Sequence, residues 1–355
     1  MTTSSIGWLK SSVANTGQTY ESIDLLFDDT KPEIFGRDVS MIVSCAEVST
    51  NEKKGENCIH KLDIVASPSF SQAKLQVTHE VLPGQGACSQ IVTVNSRLKV
   101  AGFDAGCIIP VSNYGPKKTF NCDVRGRLTH HHGAVNVVAA NSRGDQIASG
   151  SVVGELALYT ADTEQLSFLS RTSIGEYVTG LAYTSESNDD ALVYSTLEGK
   201  LGIVDTRCKL AQEIAHKPVH SYHKNITSIC LMSKRPGLVV YGGCASGEIF
   251  GLDLRSTREE LPSPRLTNIG GCIRRVKEVL VTDTKGITSS FLVYTNQTSE
   301  LQIFNAETME KDERWTCHRL PNEEQRDFVQ VGDYLISCGR QTSIGCWVWD
   351  SPKLN

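Results

Sequence analysis

Two glycine-rich stretches, GCASG at 243–247 and GQGACS at 84–89, have the composition of loops that cradle phosphate or present a nucleophile. A phosphate loop of the form G-x-x-x-x-G-K-[ST] needs lysine after its last glycine. Here Gly247 is followed by Glu248, whose charge repels phosphate. A nucleophile elbow needs serine midway between two glycines, but Ser246 abuts Gly247. GQGACS lacks the third glycine of a dinucleotide fingerprint. Neither stretch carries a mechanism.

The histidines are the next candidates. His130-His131-His132 precedes Gly133, and His216, His220 and His223 crowd a second inter-strand segment. Contiguous histidines in a loop diverge, whereas a metal needs ligands that converge and second-shell acceptors behind them. Structural or solvated roles are therefore expected, and no metal or cofactor. Asp189-Asp190 sits in the polar loop SESNDDA, a turn composition. No Cys-x-x-Cys occurs among the 12 cysteines, which removes the common zinc and thioredoxin-like spacings. Cys45, Cys107, Cys230, Cys244, Cys338 and Cys346 lie in apolar, strand-like runs and are expected to be buried thiols.

Two Asp-x-Arg pairs remain, Asp205 with Arg207 and Asp253 with Arg255. They are candidate interaction residues, or a turn device in which a short polar side chain fixes the local backbone.

The chain-wide totals narrow the class. With 355 residues, 39% hydrophobic content and a net charge of -5, the chain reads as a globular protein with a sizeable core. The basic pairs Lys53-Lys54, Lys117-Lys118 and Arg274-Arg275 are isolated and read as solvated surface, so direct nucleic-acid binding is not expected. No run reaches the roughly 20 apolar residues of a membrane span. The N-terminus lacks an apolar core of signal-peptide length, which favours an intracellular, soluble protein.

The elements around the pairs recur. QIASGSVVGELALYTAD (146–162), ALVYSTLEGKLGIVDTR (191–207) and LVVYGGCASGEIFGLDLR (238–255) share a strand, a tight turn with glycine, and a second alternating strand. FLVYTNQTSELQIFNAE (291–307) and YLISCGRQTSIGCWVWD (334–350) keep the shape with serine at the turn. With RLKVAGFDAGCIIPVS (97–112) and a looser unit at 41–63, the turns fall at 57, 106, 154, 199, 247, 299 and 343. Spacings of 44 to 52 residues mark a repeat architecture. Further strands are predicted before each hairpin (134–140, 178–184, 226–232) and after it (119–124, 211–217). Four strands per unit and seven units predict an all-β fold, one seven-bladed β-propeller over residues 1–355. Its last blade ends three strands in, so a strand within SIGWLKSS (5–12) is expected to close the ring, and 18–27 to begin the first blade. Only EEQR at 323–326 hints at a helical turn.

Trp349-Asp350, with Val204-Asp205 and Leu252-Asp253 in equivalent places, resembles the closing dipeptide of diverged WD40 repeats. In order along the chain, 191–207, 238–255 and 327–348 are similar to the fourth, the next and the terminal blades of the small WD40-propeller nucleoporin family. That family belongs to the Y-shaped scaffold complex of the nuclear pore, and the likeness covers most of 97–255 and 327–348. The resemblance implies a non-enzymatic scaffold at the nuclear envelope, docked on α-solenoid and propeller nucleoporins of the Y complex. It also implies a share in mRNA and protein transport, a kinetochore link through some complex members, and no small-molecule substrate. A substrate receptor of a cullin-type ubiquitin ligase is the competing expectation, because consecutive Asp-x-Arg blade ends at 205–207 and 253–255 resemble its adaptor-docking box. A methylosome-type WD40 adaptor stays open beside it. An enzyme working in the central channel is a third class, for which no catalytic constellation can be nominated.

Overall fold

The computed structural model describes strands at 9–10, 18–25, 38–47, 58–65 and 74–81. From 86 to 349 it describes all but 96, 115–118, 123–125, 163–164, 185–190, 208–215, 222–224, 234–238, 254–270, 283–284, 298–300, 313–314, 317–323, 332–333 and 340–342. Nearly everything described is β-strand, and among the described residues there is no α-helix. No helix there is long and apolar enough to cross a membrane.

The strands form small antiparallel sheets, seven among the described residues, each assembled mainly from consecutive strands. The first contains Gln18–Leu25, Asp38–Glu47, Cys58–Val65 and Lys74–Val81. The second orders Cys88–Thr93, Leu98–Phe103 and Cys107–Tyr114, with Thr119–Cys122 and Leu128–Thr129 both paired to the last. The third runs Val135–Ala140, Gln146–Ser151, Glu155–Ala161 and Leu166–Ser173. The fourth runs Val178–Tyr183, Ala191–Thr196, Lys200–Asp205 and His216–Ser221. The fifth has Ile226–Leu231, Val239–Cys244 and Ile249–Asp253. The sixth has Ile273–Thr282, Thr288–Asn296 and Leu301–Asn305. The seventh has Gln325–Val331, Tyr334–Gly339 and Ser343–Trp349. Trp315–Thr316 and Leu9–Lys10 both pair with its last strand, Leu9 opposite Ile344 and Lys10 opposite Ser343.

The turns explain the hairpins. Gly106, Gly154, Gly199 and Gly247 have φ of 74°, 83°, 90° and 85°, a left-handed conformation that disfavours any side chain. Each donates its N–H to the carbonyl three residues back, at 3.0 to 3.2 Å. Positions 57 and 299 lie outside the described residues. Ser343 corrects the turn expected there, since it is already a strand residue opposite Lys10. Residues 340–342, between the two strands, lie outside the described residues.

Two further expectations change. Residues 325–326 are strand, because Gln325 is fully buried opposite Gly339 and Ser337 Oγ donates to its Oε1. A helical turn would remove that pairing. The last strand of the fourth sheet is described as His216–Ser221, continuing past the expected end at 217; 211–215 lie outside the described residues. It carries Pro218 opposite Gly202 at a register shift, as an edge strand tolerates.

Packing runs from sheet to sheet. Val137, Leu156 and Leu158 of the third sheet share a core with Val178, Leu192 and Tyr194 of the fourth. Val193 and Leu201, on the other face of the fourth, pack with Val240 and Phe250 of the fifth. Tyr241 of the fifth meets Ile273 and Tyr294 of the sixth, whose Phe291 and Val293 meet Phe328 and Leu335 of the seventh. Inner strands are thus covered on both faces and read as near-continuous apolar runs, while the outer Leu166–Ser173 alternates. Tyr194, Tyr241, Phe250 and Tyr294 are all buried core residues. The six cysteines placed in strands are all in strands, and Cys107, Cys244 and Cys338 are buried. The first strands of neighbouring sheets also touch in succession, 18–25 with 88–93, then 135–140, 178–183, 226–231, 273–282 and 325–331. The strand 325–331 touches 18–25 in turn.

Candidate functional site

One irregularity recurs in every first strand. The register against the second strand slips once, between Tyr20 and Ser22, Cys88 and Gln90, Val135 and Val137, Val178 and Gly180, Ile226 and Ser228, Ile273 and Arg275, and Gln325 and Asp327. Each slip is a β-bulge, which leaves one residue unpaired and re-aims its side chain. The bulged residues are Glu21, Ser89, Asn136, Thr179, Thr227, Arg274 and Arg326, every one polar. The last six line a common cavity of about 510 Å³, together with Asp104, Tyr177 and Arg275.

The neutral side of this cavity is tied to its own walls. Ser89 Oγ donates to the Val135 carbonyl of the next sheet at 2.7 Å, and Asn136 Nδ2 to that of Val178 at 2.9 Å. Thr227 Oγ1 donates to the Gly243 carbonyl at 3.0 Å, and Thr179 shares a 3.0 Å bond with Ser195. Tyr177 donates its hydroxyl proton to Asn136 Oδ1 at 3.1 Å; burial, then the Asp104 carboxylate, raise its pKa and keep it protonated. On the other side Arg274 Nε reaches Glu324 Oε1 at 2.7 Å, and Arg326 Nη2 lies 3.5 Å from Oε2 of the same carboxylate. Lys277, one turn of the strand further on, bonds the buried Asp327 at 2.6 Å and the Phe328 carbonyl at 2.7 Å. Arg275 is half-buried, and among the described residues its guanidinium makes no hydrogen bond or ion pair.

Arg274-Arg275 therefore corrects the reading of that pair as solvated surface. Both arginines face a cavity, and one is clamped to a carboxylate. Lys53-Lys54 and Lys117-Lys118 lie outside the described residues.

The histidine triplet belongs to a different, closed network. His131 is buried, and its Nε2 lies 2.6 Å from Ser149 Oγ, which donates to the Tyr159 hydroxyl at 3.4 Å. Its Nδ1 lies 3.5 Å from Glu155 Oε2. Glu155 also accepts the His132 N–H at 2.8 Å and faces His132 Nδ1 at 2.6 Å. Arg171 Nη1 lies 3.5 Å from Glu155 and donates to the His130 carbonyl at 2.7 Å. Burial lowers the His131 pKa to about 4 despite the opposing pull of Glu155, so the ring is neutral. The Glu155 pKa is also lowered, its bonds to His132 outweighing the desolvation that raises it. The third sheet is pinned by this network. Among the described residues no three His, Cys, Asp or Glu side chains form a metal site. His223 lies outside them.

Asp205 closes the third strand of its sheet. Its Oδ1 accepts the Arg207 N–H at 3.0 Å, and the Arg207 guanidinium returns on the same carboxylate through Nε at 2.9 Å. The Arg207 guanidinium holds the Asp205 carboxyl below its ordinary pKa. Asn305 occupies the matching place in the sixth sheet, accepting from the Glu307 and Thr308 N–H groups at 2.8 and 3.1 Å. Asp253 ends its strand opposite Val239, as Asp205 does opposite Ala191. Arg255 lies outside the described residues. The structure thus gives Asp205 a turn to fix, and none of Asp205, Arg207 and Asp253 lines the cavity.

No family model matches the chain, and a search of curated proteins finds no match. The bulge residues were missed in the sequence, although a signal exists. Six of the seven first strands read apolar-polar-x-apolar at the slip, as in VNVV, VTGL, ITSI and IRRV, where simple alternation fails by one residue; the seventh reads QRDF.

Proposed function

We propose that the chain is a single seven-bladed β-propeller of diverged WD40 repeats, closed by its N-terminal strand, and that it serves as a non-enzymatic scaffold. The observation that carries this reading is the cycle of contacts among seven first strands, in which 325–331 returns to 18–25. The pairing of Leu9–Lys10 with Ser343–Trp349 supports closure by the N-terminus. A ring leaves few open strand edges and offers rigid faces to neighbours. The order of resembling blades extends the proposal to a component of the Y-shaped complex in the outer ring of the nuclear pore, with α-solenoid and propeller nucleoporins as partners. Fold alone supports no such function, so the repeat order and the absence of a nominated catalytic set are what weigh here.

Cysteines introduced at Leu9 and Ile344 should cross-link on mild oxidation if the ring closes as proposed. A tagged copy should give a nuclear rim and recover pore scaffold subunits. Diffuse cytoplasmic signal, or recovery of a cullin-ligase adaptor instead, would overturn the nucleoporin reading and favour the docking-box alternative at 205–207.

A further inference from the structure

We propose that the cavity built by the bulged residues binds a phosphate monoester carried on a hydroxyl-rich small molecule, held at its phosphate by Arg275. The reasoning starts from which hydrogen-bonding positions remain. On the neutral side, Ser89 and Thr227 direct their single hydroxyl protons to backbone carbonyls, and Tyr177 directs its own to Asn136. What they turn to a ligand is lone pairs, so a ligand there has to donate. On the opposite side the guanidinium groups of Arg274, Arg275 and Arg326 are donors only. A ligand there has to accept, and to be anionic.

The arginines are not equivalent. Arg274 and Arg326 share Glu324, which shows that this corner already clamps a carboxylate through two guanidinium groups. Among the described residues the Arg275 guanidinium makes no hydrogen bond or ion pair, and Arg275 lines the same cavity. A guanidinium with a free fork matches the paired oxygens of phosphate, and a low-dielectric wall strengthens the contact. Glu324 on Arg274 and Arg326, and Asp104 in the cavity wall, limit the net positive charge, so the site suits one phosphate rather than a polyanion. A cavity of about 510 Å³ is within the range of small-molecule sites. One class of ligand meets all three conditions: an anion at one end, hydroxyl donors at the other, and a compact body. A phosphorylated sugar or polyol has that form. The proposal does not rest on the scaffold reading, and no reaction is implied.

The test is titration calorimetry on the full chain with glucose 6-phosphate, inorganic phosphate and glucose as probes. The sugar phosphate is expected to bind tightest, inorganic phosphate more weakly, and glucose weakest. Arg275→Gln is expected to weaken the sugar phosphate at least tenfold with unchanged melting, and Arg275→Lys to retain part of the affinity. Absence of sugar-phosphate binding, or binding that Arg275→Gln leaves intact, would overturn the proposal. Binding of a phosphoserine peptide in place of the sugar phosphate would overturn the small-molecule assignment and make the site a reader of phosphorylated chains.

Discussion

The third and sixth sheets both hold charged side chains near the start of a first strand, and they use them in opposite ways. Around His131 imidazole, hydroxyl, carboxylate and guanidinium group together within the sheet, His131 Nε2 bonded to Ser149 and Nδ1 3.5 Å from the Glu155 carboxylate. Along Ile273–Thr282 the cations divide. Lys277 is engaged with Asp327, Arg274 is held by Glu324, and the Arg275 guanidinium between them makes no hydrogen bond or ion pair among the described residues. Mutual engagement identifies a structural network, because groups already paired with one another have little left to offer a ligand. An arginine in a cavity wall that is engaged by none of the described residues keeps its donors available to a ligand.

That contrast can be broken at graded cost. The largest loss is expected from Lys277→Met, which takes the Lys277 cation away from the carboxylate of Asp327, 1% exposed. Removing one partner of a buried pair costs about 3 kcal/mol or more. Urea denaturation should show it.

His131→Ala follows, at about 2–3 kcal/mol for a broken buried network. The same residue sets an acid dependence. Its folded pKa of about 4 lies below the ordinary 6.5, so the unfolded chain binds a proton first as pH drops through that window. Stability should therefore be full above pH 6.5 and fall toward pH 4, by about 3 kcal/mol at most. Melting curves of His131→Gln should lose that slope; an unchanged slope would place the acid sensitivity elsewhere.

Gly154→Ala comes next. A Cβ there would lie 2.3 Å from the Glu176 nitrogen at a φ of 83°, and about 2 kcal/mol is expected from strain and clash together. Arg275→Gln should be smallest, within about 0.5 kcal/mol, as for a surface change that removes no contact. If it proved as costly as Lys277→Met, the distinction between the engaged and the unengaged cation would collapse.

Much of the framework was legible from local rules. Gly106, Gly154, Gly199 and Gly247 marked their turns because a left-handed backbone selects glycine wherever it occurs. Val135–Ala140, Val178–Tyr183 and Ile226–Leu231 fell within a residue of the strands predicted for them. Ser343 was placed in the turn, not the strand, because a turn without glycine leaves no marker. EEQR was misjudged since helix-favouring side chains say nothing about a glutamine whose amide is buried against Ser337.

The cavity was not legible, and the reason is geometric. A bulge shifts strand phase by one residue, so the polar residue after Ile273 or Val135 reads as the solvent face of an ordinary strand. Sequence alone settled where the chain turns and which segments pair as hairpins, since those depend on backbone torsion and nearest neighbours. Only the tertiary structure decided that Arg274 and Arg275 face inward, that Glu324 engages the first and not the second, and that His131 is locked to Ser149 and Glu155. Those facts depend on contacts between residues up to 50 positions apart along the chain, which no local pattern encodes.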